Sequence, residues 1–134
     1  MNDFTLYQRL EADTAFVADW ARSRVLLMND ARYPWLVLVP RRANVTELFE
    51  LAKVDRDVLM EEAARAARTL KELTGATKIN VGALGNLVPQ LHVHIVARYP
   101  GDPAWPGPVW GHGPAVSYGS DARDALIAKI VKAP

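Results

Sequence analysis

The sequence predicts an α+β fold with a largely antiparallel sheet. Three observations carry that expectation. Strand-like segments come in runs instead of alternating with helices. One long segment repeats its apolar residues at helical spacing. The chain has 134 residues, the size of one domain, so residues 1–134 are expected to form a single unit.

The elements follow in order. Phe4 to Leu10 suits one or two helical turns. "AFVADW" and "SRVLLMN" read as short strands joined by a tight hairpin at Ala21–Arg22. "WLVLVP", residues 35–40, is a continuous apolar run between prolines, which reads as a strand. "NVTE", residues 44–47, has the form of a capping box opening a short helix, "TELFEL". A longer helix follows, with Asp55 as expected N-cap and Gly75 as its stop. Leu59, Ala63, Ala66, Leu70 and Leu73 form its apolar stripe, shallow enough to lie close on a sheet.

"TKINVGA", residues 77–83, then reads as a strand, "GALGNLVP" as a turn, and "QLHVHIVARY", residues 90–99, as another strand. Residues 100–119 hold too many prolines and glycines for regular structure, yet Trp105 and Trp110 argue against a free tail. A helix over 120–132 closes the chain, with Ser120 as its cap and an apolar face of Leu126, Ile127, Ile130 and Val131.

Composition narrows the function classes. Sixteen basic and 15 acidic residues leave a net charge of +1, which gives no general attraction to nucleic acid or acidic membranes. With no cysteine, disulfides, thiolate chemistry and Cys-based zinc sites are excluded. The polar start, "MNDFTLYQRLEAD", lacks the pattern of a secretory signal, and no apolar stretch nears the roughly 18 residues of a membrane span. A cytoplasmic protein is the expectation.

Two of the three histidines lie in "QLHVHIVARY". Strand alternation would send Leu91, Val93, Ile95 and Ala97 toward the core, and Gln90, His92, His94, Val96 and Arg98 to the other face. Lys78, Asn80 and Gly82 would share one face of the preceding strand, where Asn80 could join the histidines. Four readings fit. The imidazoles could be plain polar surface. They could bind a metal, but the remaining ligands would have to come from Asp, Glu or His112. They could bind an anion. Or one could be a nucleophile, if a partner fixes a proton on one ring nitrogen and frees the other. "GALGN" matches neither the P-loop nor the dinucleotide fingerprint and is a weak phosphate signal.

The run from Asn80 to Arg98 resembles the histidine-triad (HIT) family of nucleotide hydrolases and transferases. The family signature is His-φ-His-φ-His-φ-φ, with φ apolar, and "QLHVHIV" departs from it only at Gln90. "LLMNDARYPWLVLVPRR" is similar to the family's nucleotide-binding hairpin, and "INVGALGNLVPQLHVHIVAR" to its strand–turn–strand core. The resemblance implies a five-stranded antiparallel sheet with one long helix, a homodimer, and no metal or other cofactor. It implies that His92 attacks the α-phosphorus of a nucleoside phosphoramidate, mixed anhydride or dinucleoside polyphosphate, and that water then releases the nucleoside monophosphate. His94, at the third triad position, would meet the phosphate or leaving group, and Gln90 holds the first. Asn80 and Asn86 would lie near the α-phosphate, and Asn29 or Asp30 near the ribose.

Two positions depart from the pattern. Trp35 and Gln90 stand where the family often has histidine, and a glutamine carries no proton at neutral pH. Retained activity is the leading expectation. A catalytically weakened nucleotide-binding protein comes next, and a His-based metal module third. The uridylyltransferase branch carries its glutamine at the third triad position and is a longer chain, so it fits less well. Arg41 and Arg42 read as solvated surface, Trp105 and Trp110 as pins for the tail, and His112 as a loop residue.

Overall fold

A computed structural model describes residues 3–134. Its centre is a five-stranded antiparallel sheet in the order β1-β2-β3-β5-β4. The strands are β1 (Thr14–Asp19), β2 (Ser23–Met28), β3 (Trp35–Pro40), β4 (Lys78–Gly82) and β5 (Val93–Arg98). The helices are α1 (Gln8–Asp13), α2 (Lys53–Thr74) and α3 (Ser120–Lys132). Every residue of β3 and β5 is buried. That explains why "WLVLVP" shows no polar alternation: the strand is covered on both faces.

The two coverings differ. On one face, Leu36, Leu38, Val93, Ile95 and Ala97 pack against Leu59, Ala63, Ala66 and Leu70 of α2 and Ile130 of α3. The alanines let α2 lie close to the sheet. On the other face, Tyr33, Trp35, Val37, Val39 and Val96 meet Leu10 of α1 and Ala104 and Val109 of the C-terminal loop. This second face is thinly covered, by a short helix and loops, and it carries the site.

Several local expectations are corrected. Residues 4–7 are not helical; Phe4 and Leu6 both pack on the second face, a period of two, and α1 begins only at Gln8. Asn44 caps nothing and has φ 59°. The short helix is a 3₁₀ turn, Leu48–Glu50, whose start is tied by the Glu50 carboxylate accepting from the backbone N–H groups of Thr46 and Glu47 at 3.0 and 2.8 Å. Asp55 lies inside the first turn of α2, not at its cap. There it takes two hydrogen bonds from Arg42, at 2.9 and 3.0 Å, and an ion pair from Arg22 at 2.8 Å. Arg42 is therefore no idle surface charge. Arg41 is 3.5 Å from Asp19. Gly75 ends α2 in the left-handed conformation, φ 67°, as a glycine stop should. Leu73 and Val131 are exposed, so each apolar stripe is one residue shorter than its sequence suggests. Ser120 is the first residue of α3, after Gly119 at the cap.

The C-terminal loop is irregular but anchored. Arg98, 1 % exposed, is its hub. Its guanidinium donates to both Asp102 oxygens at 2.8 and 3.0 Å, to Asn80 Oδ1 at 2.8 Å and to the Gly107 carbonyl at 2.8 Å. Tyr33 and Trp105 flank it at 5.7 Å. No described helix is long and apolar enough to cross a membrane.

Candidate active site

A cavity of about 490 Å³ opens on the second face. Arg9, Leu10 and Asp13 of α1 form one wall, and Met28, Asp30, Arg32 and Trp35 line it from the β2–β3 hairpin. The loop over 84–88 closes another side, and Val109 and Trp110 of the C-terminal loop a third. His92 and His94 line the same cavity.

β5 begins at Val93, so Gln90, Leu91 and His92 precede it. His92 and His94 still lie together, with ring centroids 4.8 Å apart and each residue 5 % exposed. Their neighbours fix opposite tautomers. The His92 Nδ1 lies 2.6 Å from the Gln90 backbone carbonyl. A carbonyl only accepts, so this nitrogen carries a proton, and in the neutral ring the lone pair is on Nε2. The His94 Nδ1 lies 3.0 Å from the Trp35 indole nitrogen. An indole N–H only donates, so Nδ1 is the acceptor and the proton sits on Nε2. Burial, with His92 beside it, pushes the His94 imidazole down to about 3, so the ring is neutral near pH 7. The pair thus offers one bare nitrogen and one N–H donor.

Three aromatic rings hold His94 in place. Trp35 and Trp110 meet it edge-on, with centroids at 5.6 and 5.5 Å. Trp35 sits diagonally from His94 across the β3–β5 pair, whose register sets Trp35 against Val96 and Val37 against His94. On its other side His94 is paired with Gly82 of β4. A Cβ at Gly82 would stand 3.2 Å from the Trp110 ring, so the missing side chain is what admits that indole.

The HIT domain model matches residues 9–101. The chain belongs to the HIT family. It is similar over 98 % of both chains to a histidine triad (HIT) protein of Sinorhizobium meliloti 1021, at 48 % identity and a TM-score of 0.96. A histidine triad protein of Bradyrhizobium japonicum is 46 % identical over 95 % of each chain, with a TM-score of 0.93. The AP-4-A phosphorylase of Mycobacterium tuberculosis is 32 % identical over a 109-residue alignment that covers 74 % of this chain and 54 % of that protein. The chain thus spans about half the length of the curated relatives it matches.

In this HIT domain the other expected residues divide. Asn86 lines the cavity with the histidines. So does Asp30, but its carboxylate is engaged by Arg32 at 2.8 and 3.0 Å. Burial works to raise the Asp30 pKa; the Arg32 bonds outweigh it and hold the carboxyl below its usual range. Asn29 does not line the cavity. Its Oδ1 accepts from the Tyr118 backbone at 2.9 Å and so ties down the segment before α3. Asn80 shares the face of His94, as alternation expects, but its Oδ1 is taken by Arg98 and it does not reach the cavity wall. His112 lies on the exposed loop, where its carbonyl accepts from Arg32. Trp110 belongs to the site, whereas Trp105 packs on Arg98.

The Gln90 side chain is not at the site either. Its Oε1 accepts from the Tyr7 N–H at 2.8 Å and its Nε2 donates to the Thr5 carbonyl at 2.9 Å. Only its backbone carbonyl serves His92. Sequence reasoning missed Arg9 and Arg32 as wall residues and Trp35 as a hydrogen-bond donor to His94. Among the described residues, no group of three or more His, Asp or Glu is placed to hold a metal.

Proposed function

We propose that this chain transfers a nucleotidyl group through His92. The observation that carries the reading is the Nδ1–H bond to the Gln90 carbonyl, which in the neutral ring makes Nε2 the nucleophilic nitrogen of a residue that lines the cavity. The His92 Nε2 attacks the α-phosphorus of a nucleoside phosphoramidate or dinucleoside polyphosphate. A P–N bond forms as the bond to the leaving group breaks, and the leaving group departs with the bonding pair. Positive charge grows on the imidazole, and the Gln90 carbonyl, already bonded to Nδ1–H, stabilises it. The His94 Nε2–H donates to a phosphoryl oxygen or to the departing atom. Water then attacks phosphorus, the P–N bond breaks and a nucleoside monophosphate leaves. The phosphorylase name of the Mycobacterium tuberculosis relative makes inorganic phosphate a second acceptor to test; it would release a nucleoside diphosphate.

The reading includes a homodimer joined along a sheet edge. β1 carries a bulge between Phe16 and Ala18, which blunts its edge. β4 pairs without irregularity and leaves Val81 57 % exposed, so it is the edge we assign to the partner.

The test incubates the protein with adenosine phosphoramidate and with diadenosine tetraphosphate, each with and without phosphate. Wild type should form AMP or ADP, and protein quenched in alkali, where a P–N bond survives, should carry one nucleotidyl mass on the peptide holding His92. His92→Ala should do neither. AMP binding without turnover on either substrate would instead establish a binding protein.

A further inference from the structure

We infer that Gln90, which stands at the first position of the triad, is a positioning residue that clamps the wall of the nucleotide cavity. The inference rests on the nucleotide reading above, but not on turnover. The Gln90 amide accepts from Tyr7 and donates to Thr5, two residues apart on one extended segment. It occupies the place a neighbouring strand's peptide group would take. That segment runs directly into α1, whose Arg9, Leu10 and Asp13 form a wall of the cavity.

The clamp needs an amide. Glutamine presents a donor and an acceptor side by side at the end of a flexible stem, which matches an adjacent C=O and N–H. A neutral imidazole also has one of each, but on ring nitrogens that point apart, so a histidine here makes at most one of the two bonds. Glutamine thereby joins two tasks. Its side chain sets the wall that meets the ligand, and its backbone carbonyl sets the proton on His92. Restoring the family histidine should therefore weaken the site.

The test uses Gln90→His, Gln90→Met and Gln90→Glu, with AMP as the probe. Gln90→Met, which loses both bonds, should raise the AMP Kd and the substrate KM together by roughly tenfold, and Gln90→His, which can keep one, by roughly fivefold, on the scale of ordinary hydrogen bonds. The backbone carbonyl that serves His92 is present in every variant, so the loss should fall more on Kd and KM than on kcat. Tyr7 amide exchange should accelerate in both. Gln90→Glu keeps the acceptor for Tyr7 but sets a carboxylate against the Thr5 carbonyl, so it should fall between. A rise in kcat for Gln90→His, or wild-type AMP affinity in Gln90→Met, would overturn the clamp. If wild type binds AMP but turns over nothing, the His92 reading fails while the clamp is still decided by AMP affinity and Tyr7 exchange. If wild type does not bind AMP, the clamp falls too.

Discussion

The Trp35 indole donates its N–H to the His94 Nδ1 at 3.0 Å. The indole thus controls the tautomer of a buried imidazole. Trp35→Phe keeps an aromatic ring but removes the donor. The His94 Nδ1 is then buried without a partner, at a cost of about 1–3 kcal/mol in urea unfolding. The proton is free to move to Nδ1, which ¹⁵N shifts of the His94 ring report directly. Losing roughly 1 kcal/mol of tautomer preference should lower kcat about fivefold. Unchanged His94 shifts in Trp35→Phe would show that the indole does not set the tautomer.

His94→Ala removes the N–H donor while leaving the His92 Nε2 lone pair in place. The loss should fall on kcat, by about a hundredfold, as for other donors aimed at developing charge. A nucleotidyl adduct on His92 should still form, more slowly, and rapid-quench mass spectrometry would follow it. An adduct rate equal to wild type would remove His94 from the first chemical step.

Gly82 tests the packing that frames this ring. The Trp110 benzo edge lies 3.2 Å from where a Cβ would stand. Gly82→Ala needs a shift of a few tenths of an ångström, and Gly82→Val needs Trp110 to leave. Valine also favours strands, so β4 itself should form. We expect a graded loss of AMP affinity, small for alanine and larger for valine, with a matching change in tryptophan fluorescence. Equal affinities in all three proteins would show that Trp110 contributes nothing to the cavity.

These residues mark where the sequence was legible. The sheet segments were, because β2, β3 and β5 bury long apolar runs that no other element explains. Gly75 was, because a left-handed stop has few alternatives. The pairing of His92 with His94 was also visible, in the motif itself. The direction of Gln90 was not: alternation holds only inside a strand, and β5 starts three residues later. Nor was the role of Asn80. Its partner Arg98 is held by Asp102 and Gly107, in a loop with no periodicity to announce it. Trp35 looked like a loss because residue identity says little about which hydrogen bond a buried ring completes.

Arg98 makes a separate prediction about the loop that carries Trp110. Its ion pair with Asp102 is buried, with side chains 2 % and 4 % exposed. The Asp102 carboxyl is held at about 2, chiefly by the Arg98 hydrogen bonds. Arg98→Met strands that carboxylate and should destabilise by about 3–5 kcal/mol. Adding Asp102→Asn should recover part of the loss, since the second change removes the unpaired charge. A double-mutant cycle in urea measures the coupling, and strict additivity would show that the pair is not the anchor.

The buried imidazole predicts the pH dependence of stability. The His94 pKa falls from 6.5 to about 3 on folding. Between those values the unfolded chain binds a proton that the folded chain refuses, so stability declines as pH falls from about 6.5 toward 3. Asp102 works in the same direction but lower, from 3.8 down to about 2. The interval from pH 6.5 to 5 therefore lies above the titration of Asp102 and belongs to His94. His94→Gln should flatten the wild-type fall in Tm across that interval and leave the steeper loss below pH 4 intact. A mutant that keeps the full wild-type slope between pH 6.5 and 5 would show that His94 is not the group whose proton is refused.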